Sequence, residues 1–166
     1  SLLRNALNRA ITGSSRRMAQ TAANVVDHVL PKSAPLRQFV LTVPFELRAR
    51  LAYDRALSSA VGRLFVDSVL GFYRARLRDL CGITGQSGAI TVLQRTSADL
   101  RLNPHYHSVV LDGVFVPSSE PTAAPVFHPL PELSTEDVAD LLQVIRVRVL
   151  RLLEKAGVVE SRAELV

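Results

Sequence analysis

The sequence predicts an α+β fold in which an antiparallel sheet is backed by helices. Three observations lead there. Short runs rich in β-branched and aromatic residues fall near 37–43, 89–94, 106–111 and 114–116. A long stretch of three-to-four periodicity separates the first run from the second, and another follows the last. Between the third and fourth runs stands Asp112-Gly113, a pair suited to the positive φ angles of a two-residue turn, which predicts a tight hairpin. With 166 residues, 48% of them hydrophobic, the chain can fill one well-buried core but not two large ones.

Ser1 to Leu30 reads as helix, interrupted at Thr12-Gly13-Ser14-Ser15, with Ser15 as N-cap for Arg16 onward and Pro31 as the stop. This helical segment, 1–31, precedes a main domain over 32–166. After the Pro31 to Pro35 linker, the run at 37–43 makes a first strand closed by Pro44. From Glu46 to Leu80 the pattern is one helix. Leu57, Val61, Leu64, Phe65, Val69 and Phe72 form its core stripe, and Arg48, Arg55, Arg63, Arg74 and Arg78 fall mostly on the solvated side. The connector Cys81 to Gly88 leads to the strand at 89–94. Another follows at Tyr106 to Leu111, and Val114 to Val116 comes after the turn. Prolines and serines make 117–131 a loop with at most a short strand at Val126-Phe127. The last helix has Ser134 as N-cap, Glu136 and Asp137 in its first turn, and Leu133 placed to pack on Val138. Val138, Leu141, Leu142, Ile145, Val149 and Leu152 give its apolar face, and Gly157 ends it. No internal repeat is visible.

Composition narrows the function classes. No run of eighteen or more apolar residues is free of charge, and the basic N-terminus lacks both an apolar signal core and a small-residue cleavage site. A single cysteine, Cys81, excludes a disulfide framework and a cysteine-rich zinc cluster, so a soluble, intracellular protein with no membrane partner is expected. The net charge of +5 comes from arginine, since Lys32 and Lys155 are the only lysines. Guanidinium forks match phosphate geometry, which favours a nucleic-acid partner. Because the sequence starts at Ser1 and its first methionine is Met18, inside a helical pattern, it reads as a fragment or processed product.

The run that carries chemistry is Asn103-Pro104-His105-Tyr106-His107-Ser108. Side chains on a strand alternate faces, so His105 and His107 point one way and Tyr106 the other. Two imidazoles then converge on one spot with room for a third protein ligand and substrate oxygens. Gln94, at the end of the preceding strand, is a candidate third ligand through its amide oxygen. Both features also have ordinary readings, as surface histidines and as an edge-strand glutamine facing solvent. His28 at a helix end and His128 among prolines lack ligand spacing.

A hydrophobic residue between two strand histidines resembles the HUH motif of single-strand DNA endonucleases. Further ordered blocks sharpen the resemblance: Arg16-Arg17-Met18-Ala19-Gln20-Thr21-Ala22-Ala23, Asp27-His28-Val29-Leu30-Pro31, the stretch from Arg37 to Pro44, Gly88-Ala89-Ile90-Thr91-Val92-Leu93-Gln94-Arg95, and the histidine run through Val116. Together they resemble the two-tyrosine rolling-circle transposases of the insertion-sequence-ninety-one family, over roughly Arg16 to Pro131. The resemblance implies metal-dependent cleavage and transfer of single-stranded DNA at transposon ends, in a cytoplasmic, nucleoid-associated protein. His105 and His107, with Gln94, would hold Mg²⁺ or Mn²⁺ against the scissile phosphate, and a tyrosine would attack to leave a 5′-phosphotyrosine. Arg16, Arg17, Arg95 and Arg101 are candidate DNA contacts.

The sequence departs from that family twice. No tyrosine follows Tyr106, where the family carries its paired nucleophiles; Tyr53, Tyr73 and Tyr106 read as packing or amphipathic surface residues. The family's zinc-binding cysteines are replaced by Ala10-Ile11-Thr12-Gly13-Ser14. An inactive transposase remnant that at most binds DNA therefore stands as the alternative, with a plasmid replication initiator or relaxase as a further one. The least favoured reading is a metal-dependent nuclease that uses water as its nucleophile.

Overall fold

A computed structural model of the chain describes residues 23–31, 34–97, 101–120 and 122–159. The chain divides into two units, Ser1–Ala34 and Pro35–Val166. In the first, Val25–Val29 form a π-helical turn, and the Leu30 N–H donates back to the Val25 carbonyl at 2.9 Å. The expected helix up to residue 22, its cap at Ser15, and Arg16 and Arg17 lie outside the described residues.

The second unit runs β1 (Leu36–Thr42), α1 (Phe45–Tyr53), α2 (Arg55–Cys81), β2 (Ala89–Thr96), β3 (Leu102–Leu111), β4 (Gly113–Val116), β5 (Val126–Pro129) and α3 (Thr135–Lys155). The α+β class is borne out. Strands β1, β3 and β2 form an antiparallel sheet with β3 in the centre, and β4 and β5 pair in a second sheet. Helix α2 lays Val61, Phe65, Val69, Tyr73 and Leu77 in the core with Tyr106, Val110 and Val114, and α3 adds Leu141, Ile145 and Leu153. Tyr106 is anchored by its hydroxyl, which donates to the Ser58 carbonyl of α2 at 2.8 Å. No described helix is long and apolar enough to cross a membrane.

The helical stretch after β1 is two helices rather than one. Asp54 is extended, and its side chain accepts from the Leu57 N–H at 2.9 Å, so it caps α2 and breaks the run behind Tyr53. At the far end Gly82 takes φ +68°, the left-handed cap that lets its N–H return to the Arg78 carbonyl. Helix α3 starts on a capping box between Ser134 and Asp137, and the Ser134 N–H pulls the Asp137 carboxyl below its ordinary range. Arg76 of α2 pairs with Asp137, and Arg148 of α3 donates to Ser68 at 2.6 Å. The apolar face of α3 is rotated from the expected one: Leu153 is fully buried, whereas Val138 and Leu142 are exposed.

Strand β3 begins at Leu102, earlier than expected, and has Pro104 inside it. A proline in a central strand would leave a ladder acceptor without its N–H. Here the β1 ladder reaches only Thr42↔His105, and β2 shifts register between Gln94 and Thr96, so neither neighbour pairs at position 104.

The hairpin expected at Asp112-Gly113 does not form, because β4 pairs with β5 and the chain passes from one sheet to the other at this point. Gly113 is not among the positive-φ glycines. Its requirement is space: a Cβ there would stand 2.2 Å from the His128 carbonyl oxygen and 2.8 Å from the Pro129 Cα. Asp112 is a junction instead. Its N–H donates to the Pro35 carbonyl and its own carbonyl accepts from Leu130, both at 2.8 Å. Its carboxylate receives Arg37 Nε at 2.9 Å, Arg37 Nη2 at 2.8 Å and the Tyr73 hydroxyl at 2.9 Å.

Asp112→Ala leaves the buried Tyr73 hydroxyl and the Arg37 fork without their acceptor. It should cost about 2–4 kcal/mol in urea unfolding, while Tyr73→Phe, which keeps the Arg37–Asp112 pair, should cost about 1 kcal/mol. Burial first and Asp112 second raise the Tyr73 phenol well above its ordinary value, and burial pushes Tyr106 up to about 12. Both therefore hold their protons more tightly folded than unfolded, where a phenol titrates at about 10. Their stabilising contribution is complete below that pH and falls as pH climbs towards the folded values, by up to about 1.4 kcal/mol per pH unit for each phenol. Urea midpoints across this range should show that fall, and a shallower one for Tyr73→Phe; a flat profile would contradict the burial of both rings.

Candidate functional site

Along β3, Pro104, Tyr106, Ser108 and Val110 are buried, and Asn103, His105, His107 and Val109 take the opposite face. The core claims one set, so alternation delivers both histidines to the other side of the sheet. Their ring centroids are 4.7 Å apart with planes at 66°. Gln94 of β2 lies directly across from His105, and Thr42 of β1 from its other side; Val92 and Val40 flank His107 in the same way. Gln94, His105 and His107 therefore share one face. Ile90, Val92 and Val109, half-buried, and Val40, exposed, surround them with apolar surface.

The hydrogen bonds engage Nδ1 of each ring and leave both Nε2 atoms out of them. His105 Nδ1–H donates to the Asn103 carbonyl at 2.5 Å, and in the neutral ring that tautomer carries its lone pair on Nε2. His107 Nδ1 lies 2.9 Å from the Gln38 side-chain amide. An amide can turn over so that its oxygen accepts from Nδ1–H, again freeing the Nε2 lone pair. His107 Nε2 is buried with no hydrogen-bond partner, and so is the side-chain oxygen of Asn103 on the same face. Burial first, and the neighbouring His105 second, pull the His107 pKa below its ordinary value. The Gln94 amide nitrogen donates to the Thr96 carbonyl at 2.8 Å, so its oxygen has no part in that bond.

Two imidazole nitrogens and one amide oxygen suit a divalent ion that completes its shell with substrate or water oxygens. An orphaned nitrogen in a neutral, partly desolvated imidazole fits that use. Among the described residues no group of three or more histidine, cysteine, aspartate or glutamate side chains comes together, so this set carries no carboxylate.

Of the candidate DNA-contact arginines, Arg95 is not at this face: it lies on the other side of the sheet, in a groove with Arg55 and Arg63 of α2. Arg101 is exposed just before β3, and its carbonyl accepts from Ser97 N–H at 3.0 Å. Tyr73 and Tyr106 are buried with their hydroxyls engaged, and Tyr53 is 81% exposed on α1. Two site neighbours escaped the sequence reading. Asn103 could have been found by the same alternation that joins His105 to His107. Gln38 could not, because only the β1–β3 register brings it to His107.

A His107→Gln substitution should abolish the most acid-shifted histidine resonance in an NMR titration. In the parent, His107 should titrate below about 6.5, and His105→Ala should move it upward by removing a neighbouring positive charge. The neutral ring is the form the fold favours, so its contribution to stability is full above that pH and is lost as pH falls through the folded value. A midpoint for His107 at or above the ordinary value would contradict this geometry.

Neither a search of curated proteins nor one of solved structures found a match to this chain. Residues 88–165 match a family model described as "Putative transposase". That stretch runs from β2 through α3 and contains Gln94, His105 and His107. Over it the chain is similar to transposases, which supports a role related to transposition.

Proposed function

We propose that this chain supplies the metal-holding part of a site that cleaves and transfers single-stranded DNA during transposition. The observation that carries the reading is the unpartnered Nε2 of His107 beside His105 on the sheet face that also carries Gln94, within the stretch similar to transposases. The resemblance to HUH transposases of the insertion-sequence-ninety-one family supports the finer assignment. His105 and His107, through Nε2, and Gln94, through its amide oxygen, would hold Mg²⁺ or Mn²⁺. Such an ion, when bound, withdraws charge from a scissile phosphate.

The protein's own part is to hold both rings in place. Asn103 orients His105, and Gln38 orients His107. The low His107 pKa keeps its ring a ligand rather than a cation near neutral pH. Val40, Val92 and Val109 limit water around the rings, which strengthens every charge interaction made there.

A second reading is favoured by the tyrosines. The Tyr73 and Tyr106 hydroxyls donate to Asp112 and to the Ser58 carbonyl inside the core, away from the histidine face. Under this second reading the chain is a catalytically inactive transposase remnant that at most binds DNA.

Calorimetric titration with Mn²⁺ tests the site. The parent should bind one ion, His105→Ala/His107→Ala should lose that binding, and Gln94→Ala should weaken it by about tenfold, as loss of a single supporting ligand does. If the double variant binds Mn²⁺ as the parent does, the histidines are not the ligands and the proposed function fails.

A further inference from the structure

The back of the sheet carries a groove of about 470 Å³ between α2 and the edge strand β2. Its helical wall is a ladder at four-residue spacing, Arg55, Ser59, Arg63 and Asp67, so successive rungs lie one turn apart. Its strand wall offers Thr91 and Arg95. Three arginines thus face one another across a concave surface with a single carboxylate among them. None of the three has an ion-pair partner among the described residues. Arg55, Arg63 and Arg95 are exposed, so their forks can meet a ligand without first breaking an internal bond.

The groove and the histidine face meet across the β2 edge. Strand β2 is an edge, and its register shifts between Gln94 and Thr96. Gln94 lies on the histidine face and Arg95 lines the groove. A polymer that crosses the β2 edge at this bulge passes from one to the other.

We propose that the groove lined by Arg55, Arg63 and Arg95 binds the phosphate backbone of the single-stranded DNA segment that leaves the histidine face over the β2 edge. The proposal rests on the function proposed above for its choice of polymer. The chemistry fits: guanidinium forks for successive phosphates, Ser59 for a phosphate oxygen, and an open groove that tracks a flexible chain. Asp67 closes the ladder and sets a limit to the phosphate track, because a carboxylate repels it.

The test is fluorescence anisotropy of a labelled oligothymidylate, titrated with the whole chain in EDTA over a range of salt concentrations. The variants are Arg55→Ala/Arg63→Ala/Arg95→Ala and His105→Ala/His107→Ala, with Mn²⁺ binding measured on each. If the proposal holds, the triple variant binds the oligonucleotide at least about fivefold more weakly and its log–log salt slope is shallower by about 2, near 0.7 for each lost phosphate contact. It should still bind Mn²⁺, which shows that it is folded. The histidine variant should keep its metal-free DNA affinity.

A triple variant that binds Mn²⁺ and DNA as the parent does overturns the groove and leaves the metal site standing. A parent that binds no Mn²⁺, with a triple variant still weakened for DNA, overturns the metal site and keeps the groove. Stronger binding of a duplex than of the single strand overturns the choice of ligand.

Discussion

Tyr106 is pinned in the core by its ring and by one hydrogen bond to the Ser58 carbonyl of α2, and that anchor governs everything on the far side of the sheet. A strand has only two faces. With Pro104, Tyr106, Ser108 and Val110 committed to the helices, His105 and His107 have nowhere to point but outward, close together. The Ser108 hydroxyl, fully buried, is matched by Thr91 on β2 at 2.8 Å, so the core face tolerates a polar group without leaving it unpaired. On the other face the same accounting leaves one nitrogen and one amide oxygen without partners.

Asp112 holds the frame in which that strand sits. Through Arg37 it ties β1 to the end of β3, through Tyr73 it ties both to α2, and through its backbone it joins Pro35 to Leu130. The β1 register secured there brings Gln38 to His107. A carboxylate far from the histidines thus takes part in aiming one of them. The edge of Phe39 against the Tyr73 ring, with centroids 6.2 Å apart, fills the space that this junction encloses.

Much of this was legible in the sequence, for local reasons. Strand composition, helical periodicity and the Ser134 cap are short-range signals, and the sharing of a face by His105 and His107 follows from a period of two. What local signals leave out has another cause. Asp112-Gly113 looks like a turn because glycine there suits positive φ, yet the glycine answers to the nearby backbone of β5, a contact made by residues fifteen or so positions later in the chain. Asp54 interrupts a periodic stretch whose spacing hardly registers a single break. Arg55 and Arg63 read as a solvated face because a helical pattern does not say that an edge strand carrying Arg95 will lie opposite. Gln94 was visible as a strand residue, but its place across from His105 depends on pairing that no local pattern encodes.

The alternation in β3 also limits how this protein can change over evolutionary time. Substitution at His105 or His107 alters the open face and spares the core. Insertion or deletion of one residue inside the strand does neither in isolation: it would turn both histidines into the hydrophobic interior and swing Tyr106 out into water. A lineage can lose its ligands one by one while the domain stays folded, but it cannot shift them along the strand by a single position without losing the domain.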